Sequence, residues 1–316
     1  MTTLPIIDLT VRDAAVQLHR ACRDVGFFAL VLNDDLDARR QELIALATGF
    51  FALPDDVKEQ VSMHKGGPAW RGWFPLGEEL TSGIPDLKEG YYFGEELAPD
   101  PRPMHGANLW PDRPAGLAQA VSNWMDEMQS LGQQVLSYMA EGLGLPPDLF
   151  ATTLTGRPTP LFRIFRYPPQ PTGDQANWGV REHSDYGLLT LLATDGTPGL
   201  EINVNGDWIA VPADPKLLVC NLGDMLDRLT GGRYRSTRHR VRNLAHHDRY
   251  TMPFFLDPDW DASITPLELN DGWVVPQDAN NRWDRANVRD LGGTYGGWIT
   301  AKVAKVFPAL AGDVGL

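Results

Sequence analysis

Cysteine is almost missing from this chain of 316 residues, which has only Cys22 and Cys220. Two thiols outside any C-x-x-C pair rule out a disulfide framework and read as ordinary core residues. Long apolar runs are missing too. No stretch approaches the ~20 residues of a membrane span, and "MTTLPIIDLT" lacks the zones of a secretion signal, so the expected location is the cytoplasm. Positive charge is in short supply: 28 Lys and Arg stand against 41 Asp and Glu, for a formal net charge of −13. That balance repels polyanions and makes nucleic acid and anionic membrane surfaces poor partners. The densest basic stretch, "RYRSTRHRVR" at 233–242, alternates basic and other residues as a solvated strand face would, placing Arg233, Arg235, Arg238 and Arg242 in water. What remains is the composition of a soluble globular protein, 43% hydrophobic and 22% charged, long enough for one large core.

Periodicity divides the chain. "LPIIDL" (4–9) and "FFALV" read as strands around a helix, "VRDAAVQLHRACRDVG", that ends near Gly26. A second helix follows Asn33-Asp34-Asp35, with acidic residues placed to cap its start. Residues 64–114 are rich in Gly, Pro and Trp, carry little periodicity, and read as a long loop region that covers something. In 116–143 an apolar stripe, Leu117, Val121, Trp124, Met128, Leu131, Val135 and Met139, predicts a long core helix stopped by Gly144 and Pro146. From 160 to about 256 the pattern changes to short strands, with Asn205-Gly206 as a hairpin turn. A last helix is read in "TYGGWITAKVAKVF". The expected fold is α+β, mainly β: a double-stranded β-helix, or jelly roll, flanked by helices. Residues 1–115 form a mixed N-terminal region and 116–316 the helix and jelly-roll core, in one structural unit without a linker.

Against this background "REHSDYGLLTLL" (181–192) stands out. An apolar run begins there with His183 and Asp185, which on a strand share one face. A carboxylate turned inward is expensive without a cation or hydrogen bonds. Alone, H-x-D is common and usually wet. His239, however, lies in a predicted strand of the same β region, 54 residues after Asp185. His19 falls in the first helix and His64 and His105 in the irregular region, while His246 and His247 are rival third ligands in a predicted turn. Two imidazoles and one carboxylate form the facial triad that holds non-haem Fe(II) with positions open for oxygen and an organic co-ligand. Ten residues beyond His239 comes Arg249, followed by Thr251. A guanidinium fork and a hydroxyl on one face can grip a dicarboxylate.

The pattern H-x-D, about fifty residues, H-R-V, then R-x-S/T before P-F-F resembles the isopenicillin N synthase-like branch of the Fe(II)/2-oxoglutarate-dependent oxygenases. "RYPPQP", "GLEI", "NLGDML" and "PFFLDP" fall in the family's order, so the resemblance covers nearly the whole chain. It implies that His183, Asp185 and His239 bind iron, that Arg249 and Thr251 bind the distal carboxylate of 2-oxoglutarate, and that Tyr167 hydrogen-bonds this co-substrate. Arg163, four residues earlier, points into the same cavity. Thr251 stands where serine is usual. The G-E-E-x-T stretch is similar to bacterial relatives, including the ethylene-forming enzyme, which makes Glu79 and Thr81 candidate substrate contacts. Tyr186, Trp70 and Phe255 are further candidates, with core packing as their alternative. Trp70, Trp73, Phe74, Tyr91, Tyr92 and Phe93 form either an aromatic lid or packing of the N-terminal region.

The expected activity follows from the resemblance: Fe(II), 2-oxoglutarate and O2 as cofactor and co-substrates, decarboxylation of 2-oxoglutarate to succinate and CO2, and hydroxylation, desaturation or cyclisation of a small organic molecule. Two alternatives stand beside it. One is an oxidase of the same fold that does not consume 2-oxoglutarate. The other is a non-catalytic jelly-roll sensor with zinc at the triad. The substrate and the oligomeric state are not legible in the residues.

Overall fold

The structure is a computed structural model that describes residues 3–306 except 82, 99, 170–177 and 270–292. Two antiparallel sheets face each other across a cavity. The larger has eight strands in the order β1 (Ile6–Ile7), β2 (Phe27–Val31), β12 (Leu217–Leu222), β9 (Leu189–Thr194), β14 (Arg249–Asp257), β7 (Thr159–Tyr167), β6 (Glu89–Gly94) and β3 (Gly72–Phe74). The smaller has four: β11 (Asp207–Ala210), β10 (Leu200–Val204), β13 (His239–Val241) and β8 (Val180–His183). A two-stranded ribbon, β4 (Leu80–Thr81) with β5 (Ile84–Pro85), stands beside them. This is the jelly-roll architecture the sequence led us to expect. All pairs within the sheets are antiparallel except β1 with β2.

The hairpin read at Asn205-Gly206 joins β10 to β11, and both turn residues have positive φ, 54° and 98°. That conformation twists a two-residue turn to match its strands, and Asn and Gly tolerate it best. Helix α1 (Ala14–Asp24) and helix α2 (Asp34–Phe51) precede the long α4 (Leu117–Gly142). The cap of α2 is Asn33, whose Oδ1 accepts from Leu36 N at 2.8 Å, while Asp34, Asp35 and Asp37 occupy its first turn. The stripe of α4 is buried as predicted, apart from a partly exposed Leu131. It lies against α1, α2 and the outer face of the larger sheet. The approach is close: a Cβ at Gly132 would meet Leu256 Cδ2 at 2.7 Å. Short helices α3 (Asp55–Lys58), α5 (Leu149–Thr153) and α6 (Asp224–Leu229) fill corners, and α7 (Tyr295–Val306) closes one side of the cavity.

The stretch read as a long loop, 64–114, holds β3 and β6, which extend the larger sheet, as well as β4 and β5. Trp73, Phe74 and Tyr91 are core residues there, so of the two readings of the aromatic group these three follow packing. The junction is held by one buried carboxylate. Glu89 on β6 receives Lys58 Nζ (2.9 Å) and Trp73 Nε1 (2.9 Å) on Oε2 and Arg166 Nη1 (2.5 Å) on Oε1. The basic stretch 233–242 is a strand only at its end, where β13 begins. Arg240 lies between the rings of Trp178 and Trp208 and pairs with Glu201, while Arg238 pairs with Glu182. Both cysteines are free and buried. Among the described residues no helix is long and apolar enough to cross a membrane.

Replacing Glu89 by Gln removes the one buried carboxylate between Lys58, only 4% exposed, and Arg166, and leaves Lys58 with the exposed Asp55 alone, 3.0 Å away. Removing one partner of a buried pair typically costs ~3–5 kcal/mol. Glu89→Gln is therefore expected to lower unfolding stability by about that amount in a urea titration, and a change below about 1 kcal/mol contradicts the assignment.

Candidate active site

His183 closes β8, His239 opens β13, and the two are paired across the smaller sheet with ring centroids 4.1 Å apart. Each imidazole is oriented through Nδ1, which lies 2.8 Å from Arg181 O in His183 and 3.1 Å from Thr237 O in His239. A carbonyl only accepts, so Nδ1 carries the proton and Nε2 keeps its lone pair. The two Nε2 atoms stand 3.6 and 3.5 Å from Asp185 Oδ1.

The H-x-D spacing on a strand predicts Asp185 on the same face as His183. In fact β8 ends at His183, and Asp185 lies in the turn beyond. Its direction is set by the opposite sheet: Oδ2 accepts from Thr190 Oγ1 on β9 at 2.5 Å and from Asn221 Nδ2 on β12 at 2.7 Å. Oδ1 is thereby turned toward the imidazoles. Ligand atoms of His183, Asp185 and His239 all lie within 4.8 Å of one another, the one such group found among the described residues. The rivals do not reach it. His246 and His247 are exposed, and His247 Nε2 lies 3.2 Å from Thr197 Oγ1.

Protonation suits a metal. Burial lowers the pKa of His183 to about 3, with His239 adding to the effect. For Asp185 burial acts upward. The two facing imidazoles and the hydrogen bonds from Thr190 and Asn221 outweigh it and hold the carboxyl below its ordinary value. Two imidazoles that turn Nε2 toward a carboxylate on one side of a cavity are the donor set that fits Fe(II) with further positions open.

That cavity, about 1130 Å³ with part of it open to solvent, runs between the sheets. Its floor follows the pleat of β14 and β7. Arg249, Thr251, Pro253, Phe255 and Asp257 all line it, as do Leu161, Arg163, Phe165 and Tyr167. The even count from His239 to Arg249 plays no part in this, because the two residues belong to facing sheets. Arg249 is 1% exposed and sits opposite Tyr167 in register, its guanidinium carbon 5.1 Å from the Tyr167 ring. Its Nε donates to Thr197 O at 3.1 Å, but Nη1 is buried without a partner among the described residues. Burial lowers the pKa of this guanidinium somewhat, against the pull of Tyr167 and Asp195.

Two regions of the chain match known family descriptions. Residues 158–258 match the 2OG-Fe(II) oxygenase superfamily, and residues 4–113 match the N-terminal region of a non-haem dioxygenase in morphine synthesis. The chain is 37% identical to a "Probable iron/ascorbate oxidoreductase" of Dictyostelium discoideum, covering 94% of itself and 90% of that protein. It is 33% identical to the "2-oxoglutarate-dependent dioxygenase citB" of Monascus ruber, over 84% of this chain and 88% of the other. A solved 2OG-Fe(II) oxygenase family protein of Caulobacter crescentus superposes with a TM-score of 0.79 at 28% identity, covering 97% of this chain and all of the other. The chain belongs to the 2OG-Fe(II) oxygenase superfamily. It is a non-haem Fe(II)- and 2-oxoglutarate-dependent dioxygenase.

Among the remaining candidates of this dioxygenase, Tyr186, Glu79, Thr81, Arg163 and Phe255 all line the cavity, while Trp70 lines a side annex instead. Arg163 lies beside Glu79 (3.8 Å) and over the rings of Tyr92 (4.1 Å) and Phe255 (4.8 Å). Four residues of strand, about 13 Å, separate it from Tyr167. It therefore lies near the middle of the strip that β14 carries from Arg249 to Asp257, and not beside Arg249 at the co-substrate position the sequence suggested. Glu79 is occupied by its own chain, accepting from Tyr92 Oη at 2.6 Å and pairing with Lys88 at 3.0 Å. Thr190, Asn221, Lys88 and Asp257 went unnoticed in the sequence. For Thr190 and Asn221 a signal existed: each is a polar residue in the middle of an apolar strand, where burial requires a partner.

Two expectations follow. Asn221→Ala removes a hydrogen bond that aims Asp185, and second-layer changes typically weaken metal binding about 10–100-fold. Titration with Mn(II) or anaerobic Fe(II) is expected to show that loss with the fold intact by circular dichroism, and an unchanged affinity refutes the role. Burial also pushes the Asp257 carboxyl up to about 7, helped by the charge of Asp185. The folded chain then holds a proton between pH ~4 and ~7 that the unfolded chain has released, so stability falls as pH rises through that window and is level above it. Asp257→Asn is expected to flatten this fall relative to the parent in urea midpoints measured from pH 5 to 8, and parallel curves overturn it.

Proposed function

We propose that His183, Asp185 and His239 hold Fe(II), that Arg249, Thr251 and Tyr167 hold the distal carboxylate of 2-oxoglutarate, and that the substrate lies between the iron and Arg163. With both groups bound, the class couples decarboxylation of 2-oxoglutarate to succinate and CO2 with hydroxylation, desaturation or cyclisation of a small molecule. The observation that carries the reading is Arg249 Nη1. A buried guanidinium with an unmet donor costs ~1–3 kcal/mol or more unless an acceptor arrives, and it lines the same cavity as the triad.

The chain's own part is binding, orientation and exclusion of water. Arg249 supplies charge from beneath the sheet, stacked near Tyr167, and Thr251 adds a hydroxyl from the same face of β14. The added methyl of Thr251, where serine is usual, leaves that donor in place. Phe255, Leu161 and Ile299 line the apolar middle, and Tyr186 and α7 wall one side. A substrate held there presents a C–H bond to the triad and not to water. The motif order supports the isopenicillin N synthase-like branch, and the G-E-E-x-T stretch supports a bacterial member. The domain reading, 1–115 as an N-terminal region and 116–316 as the core, goes with the same branch.

Anaerobic addition of 2-oxoglutarate to the Fe(II) protein is expected to give the weak visible charge-transfer band of such complexes. Arg249→Gln is expected to raise the 2-oxoglutarate Kd about 100-fold, the loss of a charged hydrogen-bonded contact, with Fe(II) affinity nearly unchanged. His183→Ala is expected to abolish succinate release. Substrate turnover without succinate would instead establish the oxidase alternative.

A further inference from the structure

Beside the main cavity lies an annex of about 340 Å³, part of it open, bordered by Trp70, Arg71, Tyr92, Phe93, Met104 and, at its junction with the cavity, Arg163. Its polar character is one-sided. Three side-chain atoms on these residues are buried without a partner among the described residues: Trp70 Nε1, Arg71 Nε and Arg163 Nε. All three are N–H donors, and a donor needs an acceptor. Trp70 and Arg71 are 4% and 3% exposed, so bulk water does not reach them freely.

Charge points the same way. Glu79 and Asp86 share Lys88, at 3.0 and 2.7 Å, and Arg163, 3.8 Å from Glu79, is the second cation that balances these two acids. Arg71 is different. Its terminal nitrogens donate to the backbone carbonyls of Glu95, Gly106 and Met104, and no carboxylate lies within ion-pair distance of it among the described residues. Burial brings its pKa down to about 10, with Glu96 and Glu95 acting in the opposite direction, which leaves it charged at neutral pH. The seat is built for it: a Cβ on Gly94 would meet the Arg71 guanidinium at 2.6 Å. Trp70, the residue before it, holds a left-handed backbone (φ 50°) that a bulky side chain rarely adopts. Such conformations persist where the surroundings impose them, and they concentrate at binding sites.

We propose that the annex receives an oxyanion of the substrate, so that the dioxygenase acts on a small organic acid whose carboxylate meets Trp70, Arg71 and Arg163 while its apolar body lies toward the iron. This rests on the reading of the main cavity given above. A cationic substrate is the opposite choice, and the engaged state of Glu79 argues against it. Recognition here is by direct donors on buried side chains, where a missing acceptor discriminates strongly.

The test uses the Fe(II) protein with 2-oxoglutarate under argon. Hexanoate, octanoate and 3-phenylpropionate are each compared with their amide and amine counterparts, by calorimetry and by perturbation of the visible band. At least one acid is expected to bind about tenfold or more tighter than both counterparts, the size of a charged hydrogen bond. Trp70→Phe, which keeps the ring and removes only N–H, and Arg163→Gln are each expected to shrink that preference at least threefold, with the 2-oxoglutarate band reporting an intact site in each variant. Amides or amines binding as well as the acids, a preference that survives both substitutions, or no acid binding at 10 mM while the band forms, each overturns the proposal. Failure of the band itself in the parent protein counts against the main-cavity reading instead.

Discussion

The site depends on a single carboxylate that neither sheet could orient alone. Asp185 follows the last residue of a strand in the smaller sheet, yet its Oδ2 is held by Thr190 and Asn221 of the larger one. The remaining oxygen is then directed at two imidazoles whose own tautomers are fixed by backbone carbonyls. A buried carboxylate turned toward two imidazoles is costly until a cation arrives. The packing of two sheets, with the helices behind them, maintains this arrangement, and the same energy is available to bind metal.

From that centre the cavity is ordered by the pleat. Every second residue of β14 faces inward, so a strand of nine residues delivers in turn a cation, a hydroxyl, a pyrrolidine ring, an aromatic ring and a carboxyl. β7 does the same beside it. Arg249 and Arg163 are thus separated by strand length and not by a loop. This is the rigid placement that catalysis by positioning requires.

Much of this was legible in the sequence because it obeys simple periods. The hairpin at Asn205-Gly206, the stripe of α4 and the alternation that carries Arg249, Thr251 and Phe255 follow local rules. The triad was legible because histidine and aspartate are poor choices for the start of an apolar strand. What stayed hidden has a common physical cause. β3 and β6 are buried on both faces, so "GWF" and "GYYFG" show no period of two and, among glycines and prolines, look like loop. Lys88, Asp86 and Glu89 are buried ions in a stretch as charged as any surface, and only three-dimensional pairing distinguishes them. The turn after His183 was likewise invisible, because a strand's last residue is not marked when the next elements continue the apolar pattern.

The same division explains where the enzyme's individuality resides. The iron and co-substrate ends draw on β7, β8, β9, β12, β13 and β14, all after residue 158, in the region that matches the superfamily. The far end is built largely from residues 69–104: Glu79, Thr81 and Lys88 enter the main cavity, and Trp70, Arg71 and Met104 border the annex. Those residues are carried on β3, β4, β6 and the turns around them, and the edge of the larger sheet anchors them through Glu89. A fold that fixes its chemistry on one set of strands and its recognition on an appended edge can change substrate without disturbing the iron site. In this chain that edge carries buried cations and unmet N–H donors, so selection for an acid requires no change to the metal, the co-substrate or the strands that hold them.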